Sequence, residues 1–247
     1  MISFQMVKST VHKKEYQILK SQTGKSVKKE IRVNLATVVL VLAVYLTLNV
    51  VPYLAIVRPL SDVAYQVVIN SLLTIIGILG MVVFVKSGRG SVYGRFRFRW
   101  SYLGAVLLAF FLFYVWVILQ NILFPVAQNV LASEEHPVGL TGFAYVFLMF
   151  IYPVIIGPLV EEFLCRGLVM TNLYPYRRFG LDVLVSASVF SLGHVLQHGW
   201  VTTDFIGYLI PGLILGALFR YTRSLAWPIV AHILWNLFVF FMTVLVF

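Results

Sequence analysis

Seven apolar stretches dominate this sequence, near 33–57, 63–86, 101–124, 142–172, 181–198, 204–221 and 225–247. Most match the roughly 20 residues an α-helix needs to cross the hydrocarbon core of a bilayer. In lipid, every backbone N–H and C=O must find its partner within the protein, so only helices and closed barrels span. The runs are continuous rather than alternating between apolar and polar, which is the pattern of helices and not of barrel strands. Composition agrees, with hydrophobic residues at 60% and charged residues at 11%, against roughly 45–50% and 25% in soluble domains. The sequence therefore predicts an all-α polytopic membrane bundle of about seven transmembrane helices and excludes an ordinary soluble domain.

Charge gives the orientation. Eight of the 19 Lys and Arg residues precede Val33, in a basic segment 1–32 that includes Lys13, Lys14, Lys28 and Lys29. A nucleic-acid arm has this composition, but the apolar run that follows directly favours a cytoplasmic segment lying near anionic lipid, and no nucleic-acid partner is expected. With a cytoplasmic N-terminus, 17 of the 19 basic residues fall inside, only Arg58 falls in an outer loop, and Arg166 lies within a span. Outer connections would carry Asp62, Glu134, Glu135 and Asp204. This asymmetry predicts N-in, C-out. The expected organisation is thus a basic segment 1–32 followed by a transmembrane domain 33–247. The connection 125–141, with Glu134, Glu135 and His136, reads as a solvated loop. A single cysteine, Cys165, excludes an internal disulfide and a four-thiolate metal site.

Ionisable side chains are rare inside membrane spans, so each one is a functional candidate. Here three separate spans contribute them: Glu161, Glu162 and Arg166 in the fourth, His194 and His198 in the fifth, His232 with Asn236 in the seventh. The fourth stretch also holds Pro153, Gly157 and Pro158, which predict a kink or a break, with a helix restarting at Pro158. On a helix, Arg166 lies about 40° round from Glu162 but about 140° from Glu161. Glu162 and Arg166 are natural partners, while Glu161 has no local cation and is suited to trade protons. Counted from the cytoplasmic end at about 1.5 Å per residue, Glu161 lies roughly 18 Å deep and His194 roughly 20 Å. His232 and Asn236 come out at about 10 and 16 Å, and being four apart they share one helix face.

The ordered elements Glu161-Glu162-Phe163-Leu164-Cys165-Arg166, then Phe190-Ser191-Leu192-Gly193-His194, then His232-Ile233-Leu234-Trp235-Asn236 resemble those of the membrane-embedded CAAX-protease and bacteriocin-processing family, also called Abi. The resemblance covers roughly 142–240, the expected catalytic core. It implies an intramembrane glutamate-type endopeptidase that needs no metal or other cofactor. On that reading Glu161 activates water with help from His194, and His232 and Asn236 stabilise the oxyanion. Glu162, Arg166 and Phe190 support them. The implied partners are a peptide or protein substrate, with or without an attached lipid, and membrane lipid, in the cytoplasmic membrane of a prokaryote.

Two other readings compete. His194 and His198 are spaced i,i+4 as in a zinc protease, but Val195 stands where the zincin helix places its catalytic glutamate. His198, beside Gly199 and Trp200, fits an interfacial position better. A non-catalytic membrane immunity or signalling protein would keep the same motifs without using them. A transporter has little support without an inverted repeat. Cys165 reads as a small buried hydrophobe rather than a nucleophile.

Overall fold

The computed structural model describes residues 27–54, 57, 60–93, 95–96, 98–124, 146–196 and 200–246. The described residues fall into two units divided between Ala36 and Thr37. Among the described residues the regular structure is helical throughout: α1 (Val27–Tyr53), α2 (Asp62–Lys86), α3 (Trp100–Leu123), α4 (Phe147–Met170), α5 (Leu181–Val195), α6 (Thr202–Thr222) and α7 (Ala226–Val246). Six of these are long and apolar enough to cross a membrane. The exception is α5, whose 15 residues extend about 22 Å, short of the roughly 30 Å hydrocarbon core. The six long helices together with the shorter apolar α5 make up the all-α polytopic bundle that the sequence predicts. His198, Arg58 and the connection 125–141 lie outside the described residues.

Large apolar side chains face outward along the long helices. Leu107, Phe111 and Ile122 of α3 are 63%, 59% and 69% exposed, a surface that water would not tolerate over such a length but lipid does. The chain is an integral membrane protein. Interior packing is built around α4, α5 and α6, with α2 against the C-terminal half of α4 and α7 against α3, α4 and α6.

Close approach of these helices depends on missing side chains. A Cβ on Gly77 of α2 would sit 2.4 Å from Val160 Cγ2, and one on Gly212 of α6 would sit 3.0 Å from the Cα of Ala187 in α5. Small residues at such crossings are what van der Waals packing between membrane helices requires.

The kink or break expected in α4 takes the form of a change of winding, with an α-helical stretch that starts at Gly157–Pro158. The helix runs on continuously by widening: Phe147–Ile156 and Phe163–Met170 are π-helical and flank a six-residue α-helical stretch, Gly157–Glu162. Proline explains the geometry. The Gly157 N–H reaches back five residues to Tyr152 O, and the next residue, Pro158, has no N–H to offer Pro153 O. That stranded carbonyl instead accepts from Asn236 Nδ2 of α7 at 2.8 Å. The same device recurs in α6, where Pro211 frees Gly207 O and Trp116 Nε1 of α3 donates to it at 2.9 Å. In a bilayer, neighbouring side chains and local π adjustments are how a helix tolerates proline.

Asp204, expected in an outer loop, is instead buried in the first turn of α6. The helix begins at Thr202, earlier than apolarity alone suggests, and its N-terminal end favours an acid there.

The contact between α2 and α4 gives a direct test by thermal unfolding in one detergent. Gly77→Ala should destabilise by about 1–3 kcal/mol through overpacking against Val160. Gly104→Ala on α3, whose added Cβ meets nothing within 4 Å, should be neutral or stabilising by up to about 1 kcal/mol.

Candidate active site

Glu161 and Glu162 occupy the last turn of the short α-helical stretch of α4, just before its winding widens again. Adjacent on one helix, they point to different surroundings. Glu162 is fully buried, whereas the Glu161 side chain is 32% exposed.

The buried side is an ion-pair network. Arg166 Nη1 donates to Glu162 Oε1 at 2.8 Å, one helical turn away, and Arg166 Nη2 donates to Gly212 O of α6 at 2.8 Å. The guanidinium also lies 5.0 Å over the ring of Phe190 in α5. One arginine thereby joins α4, α5 and α6. Glu162 Oε1 has a second neighbour, His232 Nδ1 of α7, at 3.1 Å. A carboxylate oxygen only accepts, so His232 Nδ1 carries a proton in this bond.

The partly open side holds Glu161 between two imidazoles. Its Oε1 lies 3.9 Å from His194 Nε2 and its Oε2 lies 3.7 Å from His232 Nε2. His194 donates from Nδ1 to Phe190 O at 3.0 Å, within α5. A carbonyl accepts only, so the neutral ring keeps its lone pair on Nε2, toward Glu161. The face of His194 stacks on Tyr208 of α6 with ring centroids 4.2 Å apart. Phe190 packs against both histidine rings, 4.7 Å from His194 and 5.7 Å from His232. Backbone, carboxylate and aromatic contacts thus fix both rings with Nε2 facing the same carboxyl group.

A cavity of about 160 Å³ opens beside Glu161 and His194. Its wall is mainly apolar, with Val44 and Leu48 from α1, Leu73 from α2 and Val189 from α5, and Gly157 and Gly193 also line it. Such a volume holds several water molecules. Cys165 also lines it as a buried free thiol.

Of the residues singled out from the sequence, Glu161, Glu162, Arg166, Phe190, His194 and His232 are brought together. Asn236 is turned to the Pro153 carbonyl, and neither it nor His232 lines the cavity beside Glu161. Among the described residues, no group of three or more His, Cys, Asp or Glu has the geometry to hold a metal ion. Tyr208 escaped the sequence reading because an aromatic residue in an apolar span has no distinguishing signal. Its only cue is Asp204, an acid one turn earlier that burial shows to be internal.

Arg166 should be structurally costly to lose. Arg166→Ala leaves Glu162 buried without its cation and should destabilise by about 3–5 kcal/mol. In a double-mutant cycle read by thermal unfolding, Arg166→Ala with Glu162→Ala should lose clearly less than the sum of the single changes. Additive losses would contradict the pair as drawn.

Residues 142–238 match the family model described as "Type II CAAX prenyl endopeptidase Rce1-like". Over 111 residues the chain is 31% identical to the Bacillus subtilis (strain 168) protein named "Putative membrane peptidase YdiL". That alignment takes in 44% of this chain and 43% of the relative, so less than half of either protein is compared. No solved structure matches. Through the segment that carries Glu161, His194 and His232, the chain is similar to this CAAX endopeptidase family model and to a membrane peptidase.

Proposed function

We propose that this protein is an intramembrane endopeptidase that hydrolyses a peptide bond with a water activated by Glu161. The observation that carries the proposal is the Glu161 carboxyl group lying between two imidazole nitrogens at 3.9 and 3.7 Å, at the wall of a water-sized cavity inside an apolar bundle. Both separations exceed a direct hydrogen bond, and the first leaves room for one water about 2.8 Å from each of Glu161 Oε1 and His194 Nε2.

In the proposed reaction the water oxygen attacks the scissile carbonyl carbon while Glu161 takes its proton. His194 orients the water through Nε2. The tetrahedral intermediate then collapses, the C–N bond breaks, and Glu161 returns the proton to the leaving amine. His232 and Asn236 are assigned to the oxyanion: His232 donates from Nε2 when both ring nitrogens are protonated, and Asn236 uses the N–H not spent on Pro153. Donors held in place before charge develops are the usual source of such stabilisation. The Glu162–Arg166 pair keeps His232 oriented.

The apolar cavity wall favours a peptide substrate presented with a lipophilic group, for which the prenyl chain named in the family description is the model. The proposed setting is the cytoplasmic membrane of a prokaryote, with the basic N-terminal segment inside, membrane lipid around the bundle and no nucleic-acid partner.

The test is cleavage of a candidate lipidated peptide by purified protein in nanodiscs. Glu161→Gln should lower kcat by at least about 10²-fold, the contribution expected of a positioned base, with the thermal midpoint unchanged. Treatment with a strong chelator should leave the wild-type rate unaltered. Full activity in Glu161→Gln would remove the carboxylate from the chemistry, and loss of activity on chelation with recovery on adding zinc would favour a metalloprotease.

A further inference from the structure

A second polar cavity, of about 190 Å³, lies away from Glu161, where α4 and α6 end and α5 begins. Its lining includes Thr171, Tyr174, Arg177, Asp182, Arg220 and Arg223. We propose that this cavity binds a phosphate-bearing anion at the level of the lipid head groups. The inference is independent of the proteolytic reading.

Charge accounting is the first support. Arg220 is already engaged: its Nη1 lies 3.6 Å from Asp182 Oδ1, and its Nη2 donates to the Arg177 carbonyl. Asp182 is 2% exposed, so the pair is neutral and anchored. Arg177 and Arg223 remain without a carboxylate partner among the described residues. The Arg177 guanidinium lies 4.1 Å over the Tyr174 ring, a contact that gives its N–H groups no oxygen partner. Two guanidinium groups at one concavity suit the several oxygens of a phosphate better than any neutral ligand.

Backbone conformation is the second support. Arg223 ends α6 with φ at 50°, the left-handed region, and is the one non-glycine residue in that region among those described. Helices that stop this way usually place glycine or asparagine there. A cation in a position that favours glycine points to a use for the charge.

Location is the third. Met170 and Thr222 close two membrane-length helices here. The connection between α2 and α3 is tied to the same end, with Leu225 N–H donating to Tyr93 O and Ser224 Oγ donating to Arg95 O. The cavity therefore opens where apolar spans give way to the basic loops, the level of phospholipid phosphates. Basic pockets between helices at that level are a recurrent setting for anionic head groups.

The test uses the full chain purified in neutral detergent, with short-chain phosphatidylglycerol, phosphatidylcholine and inorganic phosphate as separate probes, read by native mass spectrometry and thermal unfolding. Wild type should retain one phosphatidylglycerol under conditions that strip phosphatidylcholine, and its thermal midpoint should rise with the former only. Arg177→Ala should weaken retention at least 10-fold. Arg223→Gly should fold at least as well as wild type, because glycine suits the left-handed position, yet should lose the lipid-dependent rise. Arg99→Ala, at the start of α3, should change neither. Stabilisation by inorganic phosphate with no retained lipid would assign the same two arginines to a soluble phosphate. Equal behaviour of wild type, Arg177→Ala and Arg223→Gly toward both phosphatidylglycerol and phosphate would overturn the proposal.

Discussion

Everything near the candidate site hangs on one buried ion pair, Glu162 with Arg166. Both side chains have no exposed surface, and two charges in such a place are tolerated only because each offsets the other and further polar partners complete the set. Those partners belong to other helices: Gly212 of α6, Phe190 of α5 and His232 of α7. Apolar packing alone does not specify a rotation for a helix surrounded by lipid of the same polarity. The pair does, because any rotation of α4 that separates Arg166 from Gly212 O leaves a buried charge poorly satisfied. By fixing α4, it also fixes the direction of Glu161, the preceding residue, whose side chain lines the cavity and shares His232 with Glu162.

The same logic extends to the prolines. Pro158 and Pro211 each strand a backbone carbonyl in a medium that cannot supply a hydrogen bond, and each carbonyl is answered by a side chain on another helix, Asn236 or Trp116. A defect within one helix thereby becomes an attachment between two. For Asn236 this gives a structural duty beside the oxyanion role assigned to it, and both call for an amide at that position. The widened turn that ends at Gly157 follows from Pro158 next to it, and π-helical turns of this kind are frequent where a helix carries functional groups.

Much of this architecture was legible in the sequence. Long apolar runs specify membrane helices almost without reference to tertiary structure, and the i,i+4 spacing of Glu162 and Arg166 specifies their pairing. The convergence of three helices on Glu161 was suggested by depth, since charged groups in hydrocarbon have few places to go. What the sequence could not supply came from contacts between helices. The continuity of α4 through two prolines depends on Asn236, which lies 83 residues from its acceptor. The burial of Asp204 and the stacking of Tyr208 on His194 depend on how α5 and α6 pack, and the short reach of α5 depends on where its last turn ends, at Val195. The arginine cavity at the ends of α4 and α6 joins residues that read separately as ordinary loop charges.

The central claim is that Glu161 acts on water and does not itself attack the substrate. Isotope placement tests this most directly, by running repeated turnovers of a cleavable peptide in ¹⁸O-water and analysing both product and protein by mass spectrometry. The account predicts one ¹⁸O in each new C-terminal carboxyl group and none in the peptide containing Glu161. Label accumulating in the Glu161 carboxyl group would reveal an acyl anhydride and would contradict it.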